Sequence, residues 1–275
     1  MRILSVLIGL FFYSFASGQY YYNDILATHQ SQAQYQLLRA NKVKKMQAIS
    51  YEEDHTPTEG FKLELELSTD GKKMVTRSSN ISGKTSETTS FFESGRLKKT
   101  QSYSNGIDNR MEYGYDEKGQ IILFTLTTID TSMNYQSVET REWHYNAAGQ
   151  ITDVIKIKNK SDSSIADFVY DESGNLVEEH WKKKHKEIET YYYYYNTAHL
   201  LSDIVRFNAR LKKLMPDYQY EYDSKGRPAQ MTQLAANGKY FVWKYVYNEK
   251  GLKISETCSD NKNLVIGNIE YKYEF

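Results

Sequence analysis

The segment Tyr113-Gly-Tyr-Asp-Glu-Lys-Gly-Gln-Ile121 combines two aromatic residues, an Asp-x-x-Gly turn and the start of an apolar run. Tyr113 and Tyr115 are two positions apart, so both rings lie on one face of a strand. Asp116 can cap a turn through its carboxylate, and Gly119 can supply a positive φ, as in a type I turn followed by a G1 bulge. The segment therefore predicts the turn of a β-hairpin.

The same pattern recurs along the chain. The further copies are Trp143-His-Tyr-Asn-Ala-Ala-Gly149, Phe168-Val-Tyr-Asp-Glu-Ser-Gly174, Tyr193-Tyr-Tyr-Asn-Thr-Ala-His199, Tyr220-Glu-Tyr-Asp-Ser-Lys-Gly226 and Tyr245-Val-Tyr-Asn-Glu-Lys-Gly251. Two weaker copies end at Gly71 and Gly95, and Tyr271-Lys-Tyr273 is a half copy. Successive turn positions are 24, 24, 30, 25, 25, 27 and 25 residues apart. Such a period is typical of proteins built from repeats.

The recurring turn residues are assigned a structural role. They are Asp116, Gly119, Asn146, Gly149, Asp171, Gly174, Asp223, Gly226, Asn248 and Gly251. One copy departs from the pattern, because His199 stands where the others have Gly. Histidine adopts left-handed φ less readily than glycine. We therefore expect the turn at His199 to be strained or altered.

These observations predict an all-β fold: a repetitive antiparallel β-hairpin array that forms a curled single-layer sheet, with a short N-terminal helix. Both aromatic residues of each copy should lie in register with those of neighbouring copies and form ladders of rings on one face, and the other face should be wetter. Asp24 can cap a helix over 25–40 that Asn41 stops. We expect this helix to cover one end or edge of the sheet.

The N-terminus indicates an exported protein, and the composition indicates no strong charge field. The chain has 275 residues, 35 basic and 35 acidic side chains, and a single cysteine, Cys258. Balanced charge gives no reason to expect nucleic-acid binding, and one cysteine allows no disulfide within the chain. Residues 1–18 resemble a signal peptide with Arg2 before an apolar run, and an uncleaved anchor is the alternative. The predicted organisation is a signal peptide at 1–18, a helical cap at 19–42 and the repeat domain at 43–275.

The run Tyr-x-Tyr-Asp-x-x-Gly-x-Leu/Ile resembles the signature of YD-repeat (RHS-type) proteins. It is clearest at Tyr113 to Ile121 and Phe168 to Leu176. The resemblance covers about residues 90 to 275 and implies a long antiparallel sheet that curls into a ribbon or shell. Large members of the family enclose a toxin or act in adhesion at cell surfaces. This chain has too few repeats for a large shell and looks more like the short exported members found in Bacteroidetes-type bacteria.

Sequence motifs for catalysis or metal binding are not found. The six histidines form no His-x-x-x-His pattern, and no Gly-x-Ser-x-Gly or phosphate-binding glycine loop occurs. Trp181-Lys-Lys-Lys184 between His180 and His185 is interpreted as a solvated hairpin tip. We therefore predict no enzyme activity, no catalytic residues, no metal and no cofactor.

The leading functional hypothesis is a non-catalytic envelope or cell-surface scaffold that binds a protein or glycan, with sheet-edge pairing as one route. Five consecutive tyrosines, Tyr191–Tyr195, must place rings on both faces, so Tyr192 and Tyr194 leave the ladder. The candidate ligand-binding residues are Tyr191, Tyr192, Tyr194, Trp181 and His199. One alternative is an outer-membrane β-barrel or a component associated with one, and a second is a glycan-active enzyme. The predicted location is the periplasm, the outer-membrane surface or the cell surface, with the mature chain not inserted in lipid.

Overall fold

The repeat turns adopt the geometry that their sequence predicts. In the computed structural model, which describes residues 22–52, 54–80, 82–208, 212–234 and 239–275, the N–H of Gly119 donates to the carbonyl of Asp116 at 3.0 Å. The N–H of Gln120 donates to the Asp116 carboxylate at 2.7 Å, and Gly119 has a φ of 85°. The corresponding backbone bond closes the turns at Gly149, Gly174, His199, Gly226 and Gly251. The turn assignment is confirmed.

The described chain forms one helix and 18 strands. The helix is α1 Tyr22–Ala40. The strands are β1 Lys45–Tyr51, β2 Lys62–Leu67, β3 Lys73–Ser79, β4 Thr85–Glu93, β5 Arg96–Ser104, β6 Ile107–Tyr115, β7 Ile121–Asp130, β8 Tyr135–Tyr145, β9 Ile151–Lys158, β10 Asp162–Tyr170, β11 Leu176–Lys183, β12 Lys186–Tyr195, β13 Leu201–Asn208, β14 Lys213–Tyr222, β15 Pro228–Leu234, β16 Tyr240–Tyr247, β17 Lys253–Ser259 and β18 Val265–Glu274.

The strands close into an antiparallel barrel. Each strand pairs with the next along the chain, and β1 pairs with both β2 and β18, placing Lys45 opposite Glu66 on one side and Glu274 on the other. The expected antiparallel hairpins are confirmed, but the expectation of a curled single-layer sheet with open edges is wrong. Strand twist and stagger bring the first and last strands together, and closure pairs the backbone groups that two free edges would expose.

The barrel has two ends with different connections. We call the end that carries the repeat turns, including those at Gly119 and Gly174, the proximal end. We call the other end the distal end; its connections include 105–106, 131–134, 159–161, 184–185 and 260–264. At the proximal end, the strand that follows each strong repeat turn contains a bulge with one extra residue. For example, Tyr145 pairs with Ile151 and His144 pairs with Asp153, so the residue between Ile151 and Asp153 has no partner in the ladder. The predicted bulge, at the glycine itself, is a different one: the N–H of Asn146 donates to the carbonyl of Gln150 at 2.9 Å, so that Gly149 and Gln150 together face Asn146.

The two faces of the wall differ in chemistry. Leu63 and Leu65 on β2 point inward and are buried. The alternate residues point outward, and there Arg77 on β3 lies 2.8 Å from Glu66 and 2.8 Å from Glu87 on its two neighbouring strands. The apolar side chains therefore fill the inside of this part of the barrel, and charged pairs stand on its outer wall. The predicted wetter face is the outer one.

Helix α1 lies inside the proximal end. Its Tyr35 ring stacks on Phe92 of β4 with 3.7 Å between centroids, and Gln32 donates to the Tyr115 hydroxyl of β6 at 3.0 Å. Leu37 packs in the same cluster as Leu252, next to the turn between β16 and β17. One helix can reach walls this far apart only from within the barrel. It plugs one end as expected and covers no sheet edge, because the sheet has none.

An ionic cluster ties the start of α1 to the inner wall. Asp24, in the first turn of α1 and not at its cap, pairs with Arg141 on β8. Arg141 also lies 2.6 Å from Glu139, whose other oxygen is 3.0 Å from Lys156 on β9. The side chains of Arg141, Asp24 and Glu139 are 12%, 17% and 11% exposed. These mostly buried charges therefore depend on one another for stabilisation.

Part of the predicted aromatic ladder is present in the wall, formed by the first aromatic residues of three repeats with Phe124 between two of them. Ring centroids of Tyr113 and Phe124 are 5.0 Å apart, those of Phe124 and Trp143 are 6.2 Å apart, and those of Trp143 and Phe168 are 6.0 Å apart. Val154 and Phe124 occupy ladder positions on the strands between repeats and are nearly fully buried. The ladder therefore functions as core packing.

In six copies of the repeat, the second aromatic residue links the copy to the preceding one. The Tyr115 hydroxyl donates to the carbonyl of Leu97 at 2.6 Å, and that of Tyr145 donates to Ile121 at 2.7 Å. The same bond joins Tyr195 to Leu176, Tyr222 to Leu201, Tyr247 to Pro228 and Tyr273 to Lys253. We call these bonds the tyrosine links. A phenylalanine could fill the same space but could not donate the bond.

Replacing His199 by glycine should stabilise the barrel. His199 keeps the repeat-turn geometry with a φ of 57°, so the expected strain is confirmed and the expected alteration of the turn is not. Left-handed backbone costs an L-residue roughly 1–2 kcal/mol, partly offset by the entropy of glycine. We expect His199→Gly to add up to about 1 kcal/mol, raising Tm by about 2–4 °C. The reciprocal Gly226→His should lower Tm; equal Tm values for all three proteins would contradict the argument.

Candidate functional site

The tyrosine run splits between the two faces of the wall. Tyr191 and Tyr193 point inward and are 0% and 2% exposed. Tyr192 and Tyr194 point outward as predicted, and Tyr194 is 48% exposed. Tyr191 is therefore a core residue, and among the described tyrosines of this run the exposed ring is Tyr194.

The other two predicted ligand-binding residues lie apart from each other. Trp181 on β11 faces inward, opposite Glu189 of β12. His199 sits in a proximal turn with its Nδ1 atom 3.5 Å from the Asn175 side chain. The structure therefore brings Trp181 and Tyr191 to one inner surface, and it leaves Tyr192, Tyr194 and His199 outside that surface.

A charged cluster lies on the inner wall beside Tyr191. Arg206 on β13 donates through Nη1 to Glu189 at 2.9 Å, and its Nε lies 2.8 Å from Asp217 on β14. The Tyr191 hydroxyl donates to the other oxygen of Glu189 at 3.0 Å. We call Glu189, Tyr191, Arg206 and Asp217 the inner cluster. The side chains of Arg206 and Glu189 are 38% and 32% exposed, so these two members are accessible, whereas Tyr191 is buried.

A bulge away from the repeat turns positions Asp217. Ile204 pairs with Tyr218 and Val205 pairs with Pro216, which leaves Asp217 as the extra residue of β14. Pro216 lacks a backbone N–H, so it cannot complete a regular ladder there. A bulge turns the extra residue out of the regular alternation, and here its carboxylate meets Arg206.

Burial and charge shift the pKa values of the inner cluster. Burial raises the pKa of Asp217, and the positive charge of Arg206 offsets only part of that shift. Burial alone would lower the pKa of Arg206, but Glu189 and Asp217 outweigh it and raise that pKa. Burial and the neighbouring Glu189 raise the pKa of Tyr191. Arg206 therefore stays a cation over the whole physiological range.

A buried carboxylate orients Trp181. Glu179 is 0% exposed; it accepts a hydrogen bond from Trp181 Nε1 at 2.9 Å and one from the Tyr193 hydroxyl at 2.5 Å. Because the indole nitrogen is held, the Trp181 ring has a fixed position near the inner cluster. The surface thus combines a fixed aromatic ring with an arginine and two carboxylates.

This arrangement suits hydrogen bonding to a polar ligand. Glu189 and Asp217 are acceptors, Arg206 is a donor, and Trp181 offers flat apolar area.

In the part of the chain that the structure describes, no group of three or more His, Cys, Asp or Glu residues could hold a metal ion. Across the same residues, no helix is long and apolar enough to cross a membrane.

Sequence reasoning missed the charged members of the inner cluster. Glu189, Arg206 and Asp217 lie on three different strands and share no motif. One signal was available, because Pro216-Asp217 interrupts an otherwise regular strand pattern and a proline inside a strand indicates a bulge. That signal could have located Asp217, but not its partner.

Comparisons with known proteins show no family. No family model matches the sequence, and no curated protein matches it. Among solved structures, TcdB2-TccC3-Cdc42 aligns at 18% identity and a TM-score of 0.35, covering 76% of this chain and 12% of that one. The Photorhabdus luminescens Tc holotoxin pore with the mutation TccC3-D651A aligns at 15% identity and a TM-score of 0.36, covering 78% and 12%.

A third similar structure is a porin-like protein from Bacteroides uniformis ATCC 8492, at 11% identity and a TM-score of 0.42, covering 84% of this chain and 96% of that one. This chain spans about one eighth of the length of the toxin chains that it matches. At such TM-scores these likenesses carry no argument about function. The YD-repeat assignment stays an interpretation of the sequence motif.

Proposed function

We propose that this protein is an exported, non-catalytic barrel whose inner cluster binds a glycan. The observation that carries the proposal is the accessible Arg206, held between Glu189 and Asp217 beside the fixed Trp181 ring. Sugars offer hydroxyl groups to planar polar side chains and apolar faces to aromatic rings. Arg206 and Glu189 are 38% and 32% exposed on the inner wall, so a ligand can reach them.

The wall chemistry supports a location in water within the cell envelope. A barrel that spans a membrane presents an apolar band to lipid and a polar interior. Here the outer wall carries Arg77 between Glu66 and Glu87, and Lys182 paired with Asp167, whereas Leu65, Trp143 and other apolar side chains are buried inside. In these parts of the wall, the distribution is the reverse of that in a lipid-embedded barrel.

Arg206→Met should weaken glycan binding at least tenfold while Tm falls only slightly. The variant keeps the length of the side chain but removes the donor groups and leaves two carboxylates to repel each other. Calorimetric titration with a panel of soluble envelope oligosaccharides measures the change, and a tenfold loss corresponds to about 1.4 kcal/mol. Arg77→Met removes an outer-wall arginine and is the matched control.

Two outcomes would overturn the glycan proposal. One is a wild-type protein that binds no member of the panel. The other is an Arg206→Met variant that binds as tightly as wild type. Cleavage of a bound oligosaccharide, followed by chromatography, would instead favour the glycan-active enzyme.

The closed wall favours a second candidate, an outer-membrane barrel or a component associated with one. Closure is the feature that this candidate requires, and every strand of the described barrel is paired on both sides. Fractionation separates the candidates: recovery of the mature protein only after detergent extraction supports the outer-membrane barrel, and recovery in the aqueous fraction supports the first proposal.

A further inference from the structure

The distal end carries an arc of positive charge. Five of its segments, 158–162, 183–188, 212–214, 239–240 and 260–265, contain nine lysines and three carboxylates, a formal excess of six positive charges. All nine lysines are exposed. Lys183, Lys184 and Lys186 form the densest group, and Lys183 is paired with Asp162 at 2.7 Å. We call these five segments the distal arc.

Exposed apolar side chains accompany the distal arc. Phe207 and Leu214 pair directly across β13 and β14 on the outer face, and they are 56% and 48% exposed. Ile188, the extra residue of a bulge in β12, is 56% exposed. Tyr240, Leu264 and Val265 continue the series at 40%, 49% and 43%. Apolar groups of this size beside lysines indicate an interaction surface.

The proximal end lacks this concentration of positive charge. Its repeat turns mix both signs, for example Asp116, Glu117 and Lys118 in one turn and Glu249 with Lys250 in another. The asymmetry arises although the whole chain has a formal net charge of zero. The positive charge is therefore confined to the distal arc, because the distal connection 52–61 contains four carboxylates and no lysine.

We propose that the distal arc docks on the surface of an anionic lipid bilayer. Lysine ammonium groups are attracted by acidic headgroups, and their apolar stems lie along the acyl boundary. Side chains such as Phe207, Leu214 and Ile188 can enter the interface without any strand crossing the bilayer. This inference concerns the outer surface and is independent of the proposed glycan site.

The apolar side chains decide between a membrane and a soluble polyanion. A polyanion such as polyphosphate is bound by charge and would leave Phe207, Leu214 and their neighbours exposed to water. A bilayer surface accepts the charges and the apolar groups together. The membrane is therefore the partner that accounts for both features of the distal arc.

Vesicle sedimentation tests the proposal. The wild-type protein should sediment with vesicles of phosphatidylglycerol and phosphatidylcholine mixed equally, and not with pure phosphatidylcholine, and added salt should weaken binding. The variant K183Q/K184Q/K186Q should lose binding at least tenfold. The variant F207S/L214S should also lose several-fold on vesicles but retain polyphosphate binding. The control K118Q/K225Q/K250Q, on the proximal end, should bind like wild type.

Three results would overturn the proposal. They are no sedimentation of wild type with the anionic vesicles, equal sedimentation with neutral vesicles, and a control that loses binding as much as K183Q/K184Q/K186Q. Unchanged vesicle binding by F207S/L214S would also overturn it and favour a polyanion. Circular dichroism confirms that each variant is folded, and loss of glycan binding by Arg206→Met leaves all of these results unaffected.

Discussion

Between about pH 10 and about pH 12 the barrel should unfold cooperatively, because its tyrosine links require neutral phenols. Burial raises the pKa of Tyr115, Tyr247 and Tyr273 to about 12 each. Each of these hydroxyls donates to a backbone carbonyl of the preceding repeat. A phenolate cannot donate that bond, and its charge would repel the carbonyl oxygen.

The direction of the pH effect follows from the raised pKa values. Below about pH 10, the pKa of tyrosine in an unfolded chain, the phenols are neutral in both states and their contribution is fully present. As the pH rises toward the folded value, only the unfolded chain loses protons, so stability falls. Because the phenols are partly exposed and screened by solvent, the raised pKa of each one corresponds to on the order of 1–2 kcal/mol of folding free energy. The summed contribution of several such phenols is a large part of a typical folding free energy of about 5–15 kcal/mol.

Absorbance of the phenolate and near-ultraviolet circular dichroism should change together in an alkaline titration. The triple variant Tyr115→Phe, Tyr247→Phe and Tyr273→Phe is the control. It should be less stable at pH 7, by roughly 1 kcal/mol for each lost bond, and its stability should fall less steeply above pH 10. A near-ultraviolet signal that stays constant as the pH passes 12 would show that the links do not hold the barrel.

Arg141→Met should destabilise the protein by about 3–5 kcal/mol, because it leaves Asp24 and Glu139 charged and largely buried without their shared partner. Lys156 still neutralises part of the charge of Glu139 at 3.0 Å, but Asp24 depends mainly on Arg141. Burial already raises the pKa of Asp24, so without the guanidinium its carboxylate should take up a proton more readily. Urea unfolding measures the loss, and proteolysis reports release of α1 from the barrel.

Lys182→Met is the matched control for Arg141→Met. Its partner Asp167 and Lys182 itself are both 43% exposed on the outer wall, so the loss should be at most about 1 kcal/mol. Adding Asp24→Leu to Arg141→Met should recover part of the stability, since it removes one unpaired charge. Equal losses for Arg141→Met and Lys182→Met would refute the role of the buried cluster.

The local structure of each repeat follows from its own residues. Asp116 and Gly119 determine a turn with one bulge, and the spacing of Tyr113 and Tyr115 puts both rings on the inner face. The sequence also holds a signal for the tyrosine links. The first aromatic position varies among Tyr, Trp and Phe, whereas the second is always Tyr, which indicates that its hydroxyl is needed.

Neither the closure of the barrel nor the inner cluster could be predicted in the same way. Closure depends on the twist and stagger added up over 18 strands, and no single repeat encodes that sum. Arg206 meets Asp217 only because one bulge changes the register of β14. Likewise, nothing in 25–40 shows that the helix enters a lumen, because Leu37 packs in the cluster of Leu252, which lies 215 positions further along the chain.

The pairing of β1 with β18 sets the order in which the molecule can fold. Lys45 and Glu274 stand opposite each other although nearly the whole chain lies between them, while every other pairing joins strands that follow each other. Hairpins can therefore form quickly and one by one, but the final pairing closes the longest possible loop and should be slow. Until it forms, the intermediate has two unpaired edges that could join other chains. The pairing of β1 with β18 is thus the step at which folding competes with aggregation.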